Sequence, residues 1–241
     1  MKIYSKELKE EILEKLVENV RKGKYKEVGR EIVAKEIIKQ ITNNPKIIDR
    51  LEKPKESDKL VKNVRRVLYK GVGAFAENVN IRDYEDIFKI TACPKKIVNL
   101  GAGLDALAYE KLGCSPEYIA IDINNSHVQK VNQFFLKNKI NGKAYCKDIL
   151  QVNEFPSADV YFMFNLLESI ELVKSHLISE ELIKKVPAKY VVVSFSTKTL
   201  SGNPMRVPKR RWFELMLNRL KYEFNRIDSE NEMFYVVKKP I

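Results

Sequence analysis

A pair of glycines separates a short apolar run from a segment of helical character in the stretch IVNLGAGLDALAYE, residues 97–110. Glycines at such a junction let backbone N–H groups approach a ligand closely, and a helix that begins there presents its positive end to the ligand. Gly101, Gly103 and Ala106 satisfy the relaxed G-x-G-x-x-G/A pattern of NAD-binding folds, and the same kind of turn also binds S-adenosylmethionine. The stretch therefore predicts a nucleotide-type cofactor without choosing between these two.

Two acids follow the next predicted strands. Asp122 ends the strand YIAID, 21 residues beyond Gly101, where an acid is expected to bond the ribose hydroxyls of either cofactor. Asp148 follows the third strand, where a carboxylate can accept a hydrogen bond from an adenine amino group or simply cap a turn. Together with Asn99, two residues before Gly101, they favour one adenosine held across three strand ends, and therefore S-adenosylmethionine. The residues predicted to contact this cofactor, with the neighbours of the glycines and acids, are Asn99, Gly101, Ala102, Gly103, Asp122, Ile123, Asp148 and Ile149.

The segments on either side of Pro94 differ in pattern. Apolar residues recur at four-residue spacing from Leu8 to Val20, the pattern continues through VRRVL, and DYEDIFKIT adds a short helix, so residues 1–95 are predicted to form an all-helical domain without strands. Residues 96–241 form the second predicted domain. There the runs KIVNL, YIAID, KAYC, ADVYFMF and KYVVVSF are predicted strands, with helices near residues 104–113, 124–138 and 166–186.

Alternating strands and helices predict an α/β fold with a parallel sheet covered on both faces. After the fifth strand the order changes to a helix, RRWFELMLNRL, and two strands, YEFNRID and EMFYVVKK, which predict a terminal antiparallel hairpin. A dinucleotide-binding domain commonly starts its chain or begins a second mononucleotide half at this point. The helical first domain and the terminal hairpin therefore also favour the methyl donor.

Charge is distributed unevenly along the chain. The net charge is +8 over residues 1–96, zero over 97–198 and +4 over 199–241. A neutral centre with basic flanks indicates a polyanionic partner, because Lys and Arg neutralise phosphates and release counterions. The alternative is a solvated basic surface with no partner.

Composition bounds the location and excludes several kinds of site. The sequence has no apolar run of roughly 18 residues, and MKIYSKELKEEILEKL is charged where a signal peptide is apolar. We therefore expect a cytoplasmic protein that does not associate with membranes. We also expect it to be a monomer. Cys93, Cys114 and Cys146 lack metal-ligand spacing, so they are expected to be unpaired thiols, and no metal site is predicted.

The motifs NLGAGLDALA and AIDIN resemble the first two motifs of the seven-strand S-adenosylmethionine-dependent methyltransferases. Within that superfamily the sequence is similar to the aminoglycoside-resistance methyltransferases of small-subunit ribosomal RNA, the Arm or FmrO-like family. GAGLDALA matches that family's G-x-G-[aromatic or Leu]-[Asn/Asp]-x-Leu-Ala turn, VVVSFSTKTLSG matches its late strand and Ser-Leu-Ser-Gly loop, and KYK and VRRVL are similar to parts of its helical domain. The resemblance implies a Rossmann-like methyltransferase sheet, S-adenosylmethionine as cofactor, and 7-methylguanine in the decoding region of the ribosomal RNA as product.

The same resemblance assigns roles at two positions where the sequence departs from the family. The family's Glu-Arg pair becomes Arg65-Arg66, which gives Arg66 the role of binding the methionine carboxylate without the preceding acid. The family's Lys in the fourth-strand motif becomes Asn165 in MFNLLES, so Asn165 and Leu166 are the predicted catalytic positions. These departures fit a distant, housekeeping relative better than a resistance enzyme.

The chemistry of methyl transfer suits the residue types present. Ring nitrogen 7 of guanine has a free lone pair and needs no general base, and the sequence offers no Cys/His or Ser/His constellation. RNA contacts are expected from basic residues in both domains: Lys22, Lys24, Lys26, Arg30, Arg206, Lys209, Arg210 and Arg211. The partner is therefore predicted to be ribosomal RNA or the small ribosomal subunit. The alternatives are a small-molecule methyltransferase with a helical cap, a non-catalytic RNA-binding or ribosome-assembly protein, and an NAD-dependent oxidoreductase.

Overall fold

The structure, a computed structural model, describes residues 2–3, 6–26, 28–72, 79–171, 176–198 and 203–240. The chain divides into two compact units, Met1–Ala76 and Glu77–Ile241. The sequence analysis placed this boundary after residue 95. The difference lies in the helix Glu85–Thr91, because Ile87 within it and Tyr84 before it are buried in the core of the second unit.

The first unit is a bundle of three helices, α1 (Glu10–Val20), α2 (Arg30–Asn43) and α3 (Pro54–Val72). Short 3-10 turns at Gly23–Tyr25 and Pro45–Arg50 lie between them. Every third or fourth residue faces the shared core, as amphipathic helices require; the buried side chains include Leu16, Val20, Val33, Ile37, Ile41, Leu60, Val64 and Leu68. This confirms the predicted helices.

The expectation of a unit without strands is wrong in one detail. Residues Lys2–Ile3 (β1) and Lys6–Glu7 (β2) pair in antiparallel register, with Lys2 opposite Glu7. Two-residue strands are too short to show the alternation by which a strand is recognised in a sequence.

Arg65 on α3 connects the helices at one end of the bundle. Its Nε donates to the Val20 carbonyl at 3.1 Å, and its Nη2 donates to the carbonyls of Asn19 at 2.7 Å and Lys22 at 3.3 Å. The last carbonyls of a helix have no partner within the helix, so a cation placed there stabilises its end. The neighbouring Arg66 is exposed.

The second unit contains seven strands and five helices among its described residues. The strands are β3 (Lys96–Leu100), β4 (Glu117–Asp122), β5 (Gly142–Cys146), β6 (Val160–Phe164), β7 (Tyr190–Ser196), β8 (Glu223–Asp228) and β9 (Glu232–Lys238). The helices are α4 (Glu85–Thr91), α5 (Asn125–Lys137), α6 (Leu167–Ile170), α7 (Leu177–Lys185) and α8 (Arg211–Arg219).

The strands form one sheet in the order β5-β4-β3-β6-β7-β9-β8. The first five strands are parallel, and β9 runs antiparallel between β7 and β8. From β3 the strand order runs one way through β4 to β5 and the other way through β6 to β7. In open α/β sheets, ligands bind at the carboxyl ends of the strands beside such a switch point. The predicted α/β fold and terminal hairpin are confirmed.

Alternate side chains of the strands enter two cores, one on each face of the sheet. Val98, Met163 and Val193 pack against α7 and α8 on one face, through residues such as Ile183 and Phe213. The opposite face packs against α4, α5 and a 3-10 segment; its side chains include Ile97, Ala120, Phe162, Tyr109, Val131 and Phe135. Burial on both faces explains why the central strands read as continuous apolar runs.

Three local expectations are corrected. The helix expected near residues 104–113 is a 3-10 segment, Asp105–Leu112, which ends at Gly113 with a φ of +67°. The helix expected over 166–186 is divided into α6 and α7, and residues 172–175 lie outside the described part of the chain. Cys93 and Cys114 form a disulfide instead of remaining thiols, with their Cα atoms 6.5 Å apart, while Cys146 is free. Their separation of 21 residues gave no sign of this pairing.

We expect Arg65→Ala to lower the free energy of unfolding of the first unit by about 2 kcal/mol, because carbonyls at the end of α1 lose charge-assisted hydrogen bonds. Amide hydrogen exchange of α1 and α2 measures this loss in the intact chain. Arg66→Ala is the matched control and should change the same quantity by less than about 0.5 kcal/mol, since Arg66 is exposed. Equal losses in the two variants would contradict the capping role.

Candidate active site

The glycine turn lies where β3 ends. The N–H groups of Gly101 and Ala102 donate to the Ile121 carbonyl of β4 at 2.8 and 3.2 Å. The φ angles of Gly101 and Gly103 are +65° and +50°, in the left-handed region that other residues rarely adopt. A Cβ at Gly101 would lie 2.7 Å from Cδ1 of Leu166, whereas a Cβ at Gly103 would meet no atom within 4 Å. The turn is therefore supported by Leu166 beneath Gly101 and open beside Gly103.

Asp122, the last residue of β4, bonds directly to this turn. Its Oδ2 accepts a hydrogen bond from the Gly103 N–H at 2.8 Å, and its Oδ1 accepts one from the Asn124 N–H at 2.7 Å. The residue is 3% exposed. A carboxylate has about four acceptor positions, so these bonds leave capacity for two donors from a ligand.

Burial raises the pKa of Asp122, and the bonds from Asn124 and Gly103 counteract part of this rise because they stabilise the charged form. The next residue, Ile123, places its carbonyl 3.7 Å from the Sγ of Cys146, which lies opposite Asp122 in β5. Asp122, which the sequence predicted at this site, is the carboxylate that joins β4 to the glycine turn.

Asp148 caps a 3-10 turn, Ile149–Gln151. Its Oδ1 accepts a hydrogen bond from the Leu150 N–H at 3.0 Å, and its Oδ2 accepts one from the Gln151 side chain. This is the turn-capping role that the sequence left open, and the contact with adenine remains a prediction. Ile149 is buried beneath the same turn.

Asn99 has a different role from the one predicted. Its side chain is completely buried, and its Nδ2 donates to the Tyr118 hydroxyl at 2.9 Å. A side chain sealed inside the sheet does not reach a ligand at its edge. Asn99 instead links β3 to β4, which holds the glycine turn and Asp122 in register.

A second polar cluster lies at the same edge, where β6 and β7 end and β9 begins. Arg82 forms ion pairs with Asp105 at 2.8 Å and with Glu232 at 2.6 Å, and its guanidinium lies 4.3 Å from the centre of the Phe164 ring. Asn165, directly after β6, donates a hydrogen bond from Nδ2 to Glu232. Asn80 donates to Asp105 at 3.3 Å. The cluster therefore connects the segment after the glycine turn to the start of β9.

Burial and charge have opposite effects on Arg82. Burial alone lowers the pKa of a guanidinium, but the carboxylates of Asp105 and Glu232 raise the pKa of Arg82 above its ordinary value, so the side chain stays charged. Burial raises the pKa of Asp105, and Arg82 lowers it again in part. Removal of Arg82 would leave the two carboxylates without a compensating positive charge.

This cluster borders a cavity of about 640 Å³. Asn165, Ser196 and Phe234 contribute to its wall, together with Arg82. Five carboxylates also line it, those of Asp83, Asp86, Asp228, Glu230 and Glu232. The cavity is thus predominantly negative and opens beside the predicted catalytic position Asn165.

Sequence reasoning missed Arg82, Asp105 and Glu232 as site residues and assigned the binding of a carboxylate to Arg66. Arg82 and Glu232 are 150 residues apart, so no local pattern connects them. Arg66 is exposed on α3 in the first unit, and its contact with the cofactor remains a prediction. The surrounding segment, NIRDYEDIFK, is rich in charged residues and does not single out Arg82.

The basic residues predicted in the first unit divide into two groups. Lys22 and Lys26 are exposed, and the side chain of Lys24 lies outside the described part of the structure. Arg30 forms ion pairs with both Glu14 and Glu18 of α1. These exposed ion pairs connect α1 to α2 and compensate the charge of Arg30 in part, and its contact with phosphate remains a prediction.

The basic residues before and within α8 divide in the same way. Arg206, Lys209 and Arg211 are exposed, although Lys209 also lies 3.2 Å from Glu214. Arg210 is buried; it pairs with Glu168 at 2.6 Å and donates to the Ser196 carbonyl at 3.2 Å. Arg210 therefore anchors the segment before α8 to the end of β7, which corrects its predicted role in RNA binding. Residues 199–202, which carry the rest of the predicted Ser-Leu-Ser-Gly match, lie outside the described residues.

Two further points concern membrane-spanning helices and metal sites among the described residues. None of their helices is both long and apolar enough to cross a membrane. Within the same residues, no group of three or more His, Cys, Asp or Glu side chains is arranged to hold a metal ion.

Comparison with known proteins connects this geometry to a family. Residues 21–236 match the family described as ribosomal RNA methyltransferase (FmrO). Two curated relatives are the 16S rRNA (guanine(1405)-N(7))-methyltransferases of Micromonospora rosea, 26% identical over 160 residues, and of Micromonospora echinospora, 25% identical over 160 residues. Each match covers 65% of this chain and 58% of the relative, so the chain spans less than two thirds of the length of these relatives.

Solved structures give the same fold. The 16S rRNA methyltransferase RmtF, in complex with S-adenosyl-L-homocysteine, superposes with a TM-score of 0.75 at 20% identity and covers 96% of this chain and all of its own. The 16S rRNA methylase RmtB superposes with a TM-score of 0.69 at 16% identity and covers 98% of this chain and all of its own. The resemblance inferred from the sequence is confirmed, because the family match spans nearly the whole chain: the protein belongs to the FmrO family of ribosomal RNA methyltransferases.

Proposed function

We propose that this chain is an S-adenosylmethionine-dependent methyltransferase that modifies ring nitrogen 7 of a guanine in small-subunit ribosomal RNA. The observation that carries the proposal is the buried Asp122 carboxylate at the switch point, bonded to an open glycine turn in a chain of this family. The names of the curated relatives supply the guanine and its ring nitrogen. We extend the proposal to a monomer that acts in the cytoplasm on the small subunit or its RNA.

The residues present fit the proposed cofactor. Asp122 retains two acceptor positions for the two ribose hydroxyls, and the space beside Gly103 admits a close approach to the backbone. Asp148, half-buried after β5, would hold the adenine, and the buried guanidinium of Arg82 offers a partner for the methionine carboxylate at the same edge. Because Arg82 already pairs with two acids, this last contact requires it to exchange a partner.

Bound S-adenosylmethionine supplies an electrophilic methyl group on a sulfonium sulfur, which guanine nitrogen 7 accepts with its lone pair and without loss of a proton. The protein therefore has to position the base, exclude water and accommodate charge. The methylated guanine ring carries a positive charge. The excess of carboxylates around the 640 Å³ cavity favours that charge, which, with Asn165 on the cavity wall, supports this cavity as the binding place of the base.

RNA docking is the role we propose for the first unit. The loop between α1 and α2 is held by two arginines: Arg21 donates to the carbonyls of Val28 at 2.9 Å and Lys26 at 2.7 Å, and Arg65 binds the Lys22 carbonyl. The carbonyl oxygens of Lys22, Lys26 and Val28 are thereby occupied. The side chains of Lys22 and Lys26 are exposed, and Nζ of Lys22 also donates to Asn19 at 2.8 Å. A fixed loop with exposed lysines suits contact with phosphates.

The test of the function is incubation of the protein with small ribosomal subunits, or with their naked RNA, and isotopically labelled methyl donor, followed by mapping of the modified nucleotide. We expect label at nitrogen 7 of one guanine. Label on a small molecule alone would indicate a small-molecule methyltransferase. Ribosome binding without any transfer would indicate a non-catalytic assembly protein.

The loop that carries Lys22 and Lys26 provides a double variant with a matched control for the same assay. Lys22→Ala with Lys26→Ala should weaken subunit binding. The fall of the logarithm of the binding constant with the logarithm of the salt concentration should become less steep by about 1.5, because two phosphate contacts are lost. Lys46→Ala with Lys55→Ala removes the same charge at the opposite end of the bundle, about 15 Å from Arg65 along α3. Equal effects of the two pairs would show that only net charge matters.

The open turn at Gly103 predicts a selective loss of cofactor. Gly103→Ala and Gly113→Ala both place a Cβ at positive φ in open space, so each should cost about 1 kcal/mol of stability. Gly103→Ala should also weaken the binding of S-adenosylhomocysteine at least tenfold, because the new methyl group fills the approach to the turn. Gly113→Ala should leave binding within about twofold. Calorimetry measures both, and equal affinities would place the cofactor elsewhere.

The raised pKa of Asp122 predicts opposite effects of pH on binding and stability. The ribose hydroxyls need an ionised acceptor, so affinity should fall as the pH decreases through this pKa, at a higher pH than for an ordinary Asp. A pKa that is higher in the folded than in the unfolded state has the opposite effect on stability. Its contribution to stability is present at low pH and is lost as the pH rises through the folded-state pKa. Asp122→Asn should weaken binding by about tenfold or more at neutral pH and remove both dependences. Calorimetric titrations and thermal unfolding, carried from below the ordinary pKa of an Asp up to neutral pH, compare the variant with the wild type, and identical pH profiles would contradict the assignment.

A further inference from the structure

Glu232 is the shared acceptor of the polar cluster beside the cavity. It is the first residue of β9 and lies opposite Ser196, the last residue of β7. Its side chain, 12% exposed, accepts two hydrogen bonds from Arg82, at 2.6 and 2.9 Å, and one from Nδ2 of Asn165. One carboxylate therefore fixes two side chains on the wall of the cavity.

The contact with Glu232 determines which way the Asn165 amide is turned. A carboxylate accepts hydrogen bonds and donates none, so the amide nitrogen must face Glu232 and the amide oxygen must face the other way. The backbone of Asn165 is held as well: its N–H donates to the Ser194 carbonyl at 3.1 Å and to the Ser194 hydroxyl at 3.2 Å, and its φ is +50°. Asn tolerates this left-handed conformation better than most residues do.

Stability alone does not account for a second carboxylate at this place. Asp105 already neutralises Arg82 at 2.8 Å. Glu232 adds another desolvated negative charge and raises the pKa of Asp105 in turn. Charges added to a buried cluster bring a desolvation cost that frequently exceeds their attraction. The contact that only Glu232 makes within this cluster, among the described residues, is the one that orients Asn165.

We propose that Glu232 is a positioning residue for methyl transfer, which acts by holding the Asn165 amide with its oxygen available to the incoming base. The inference rests on the proposed function, because it names a further residue of the same site. Arg82 is held by the same carboxylate, so Glu232 fixes both side chains on this wall of the cavity.

Exchange of donor and acceptor between the two positions tests the proposal. Asn165→Asp removes the donor to Glu232 while it preserves shape, and Arg82 keeps both of its carboxylates, so the fold is retained. Glu232→Gln in the same chain restores one hydrogen bond with its direction reversed. Glu223→Gln is the matched control, because it removes an acid at the other end of the same hairpin, where Glu223 pairs with Lys238 at 3.0 Å.

We expect Asn165→Asp to lower kcat about tenfold with KM for the subunit and affinity for S-adenosylhomocysteine within about twofold. The double variant should recover to within about threefold of the wild type, and Glu223→Gln should match the wild type. A double variant no more active than Asn165→Asp, or a wild-type kcat for Asn165→Asp, overturns the proposal. If the loss of unfolding free energy equals the loss in kcat expressed as a free energy, the contact is merely structural, and this result also overturns the proposal.

A second readout does not depend on activity. The side-chain NH₂ signals of Asn165, identified as the pair lost from the NMR spectrum in Asn165→Asp, should shift on Glu232→Gln and not on Glu223→Gln. Absence of methyl transfer by the wild type would refute the proposed function, while these signals would still decide whether Glu232 orients Asn165. Signals that stay in place on Glu232→Gln overturn the inference.

Discussion

The hydrogen bond from the Gly103 N–H to the buried Asp122 carboxylate is the contact on which the rest of the site depends. It joins the end of β4 to the turn that follows β3, in which Gly103 adopts a positive φ. Asn99 reinforces the same junction from inside the sheet through Tyr118. Elements at the carboxyl edge of the sheet are thus fixed by a few polar contacts in an otherwise apolar surrounding, where such bonds are strong.

Arginine has two distinct uses in this chain. Arg65 donates to carbonyls at the end of α1, Arg210 pairs with Glu168, and Arg30 pairs with acids of α1, so these three cations already have partners within the chain. The exposed lysines of the loop after α1, with Arg206 before α8 and Arg211 at its first residue, carry positive charge that remains available for a phosphate. The cavity beside Asn165 is lined by an excess of carboxylates and therefore has the opposite sign.

The sequence predicted the strands of the second unit because the central ones are continuous apolar runs bounded by helices or turns, and the family motifs lay at strand ends. It located Asp122 through its distance from Gly101, which is a local relation. It did not locate the Arg82 cluster, because Arg82, Asp105, Asn165 and Glu232 come from four separate segments that only the folded sheet brings together. Arg210 was assigned to RNA because composition counts charges without showing what each charge faces.

The position of β9 determines the order in which the site can assemble during folding. Its neighbours β7 and β8 both precede it, and Glu232 must find Arg82 across 150 residues of intervening sequence. Contacts of such long range form slowly, because the entropy of closing a large loop opposes them until the flanking strands are in place. Until this hairpin docks, Arg82 and Asn165 lack their common acceptor. A chain in which the glycine turn has formed and β9 has not yet paired with β7 would therefore hold Asp122 in place without this polar cluster, and the last strand pairing is what completes the cluster.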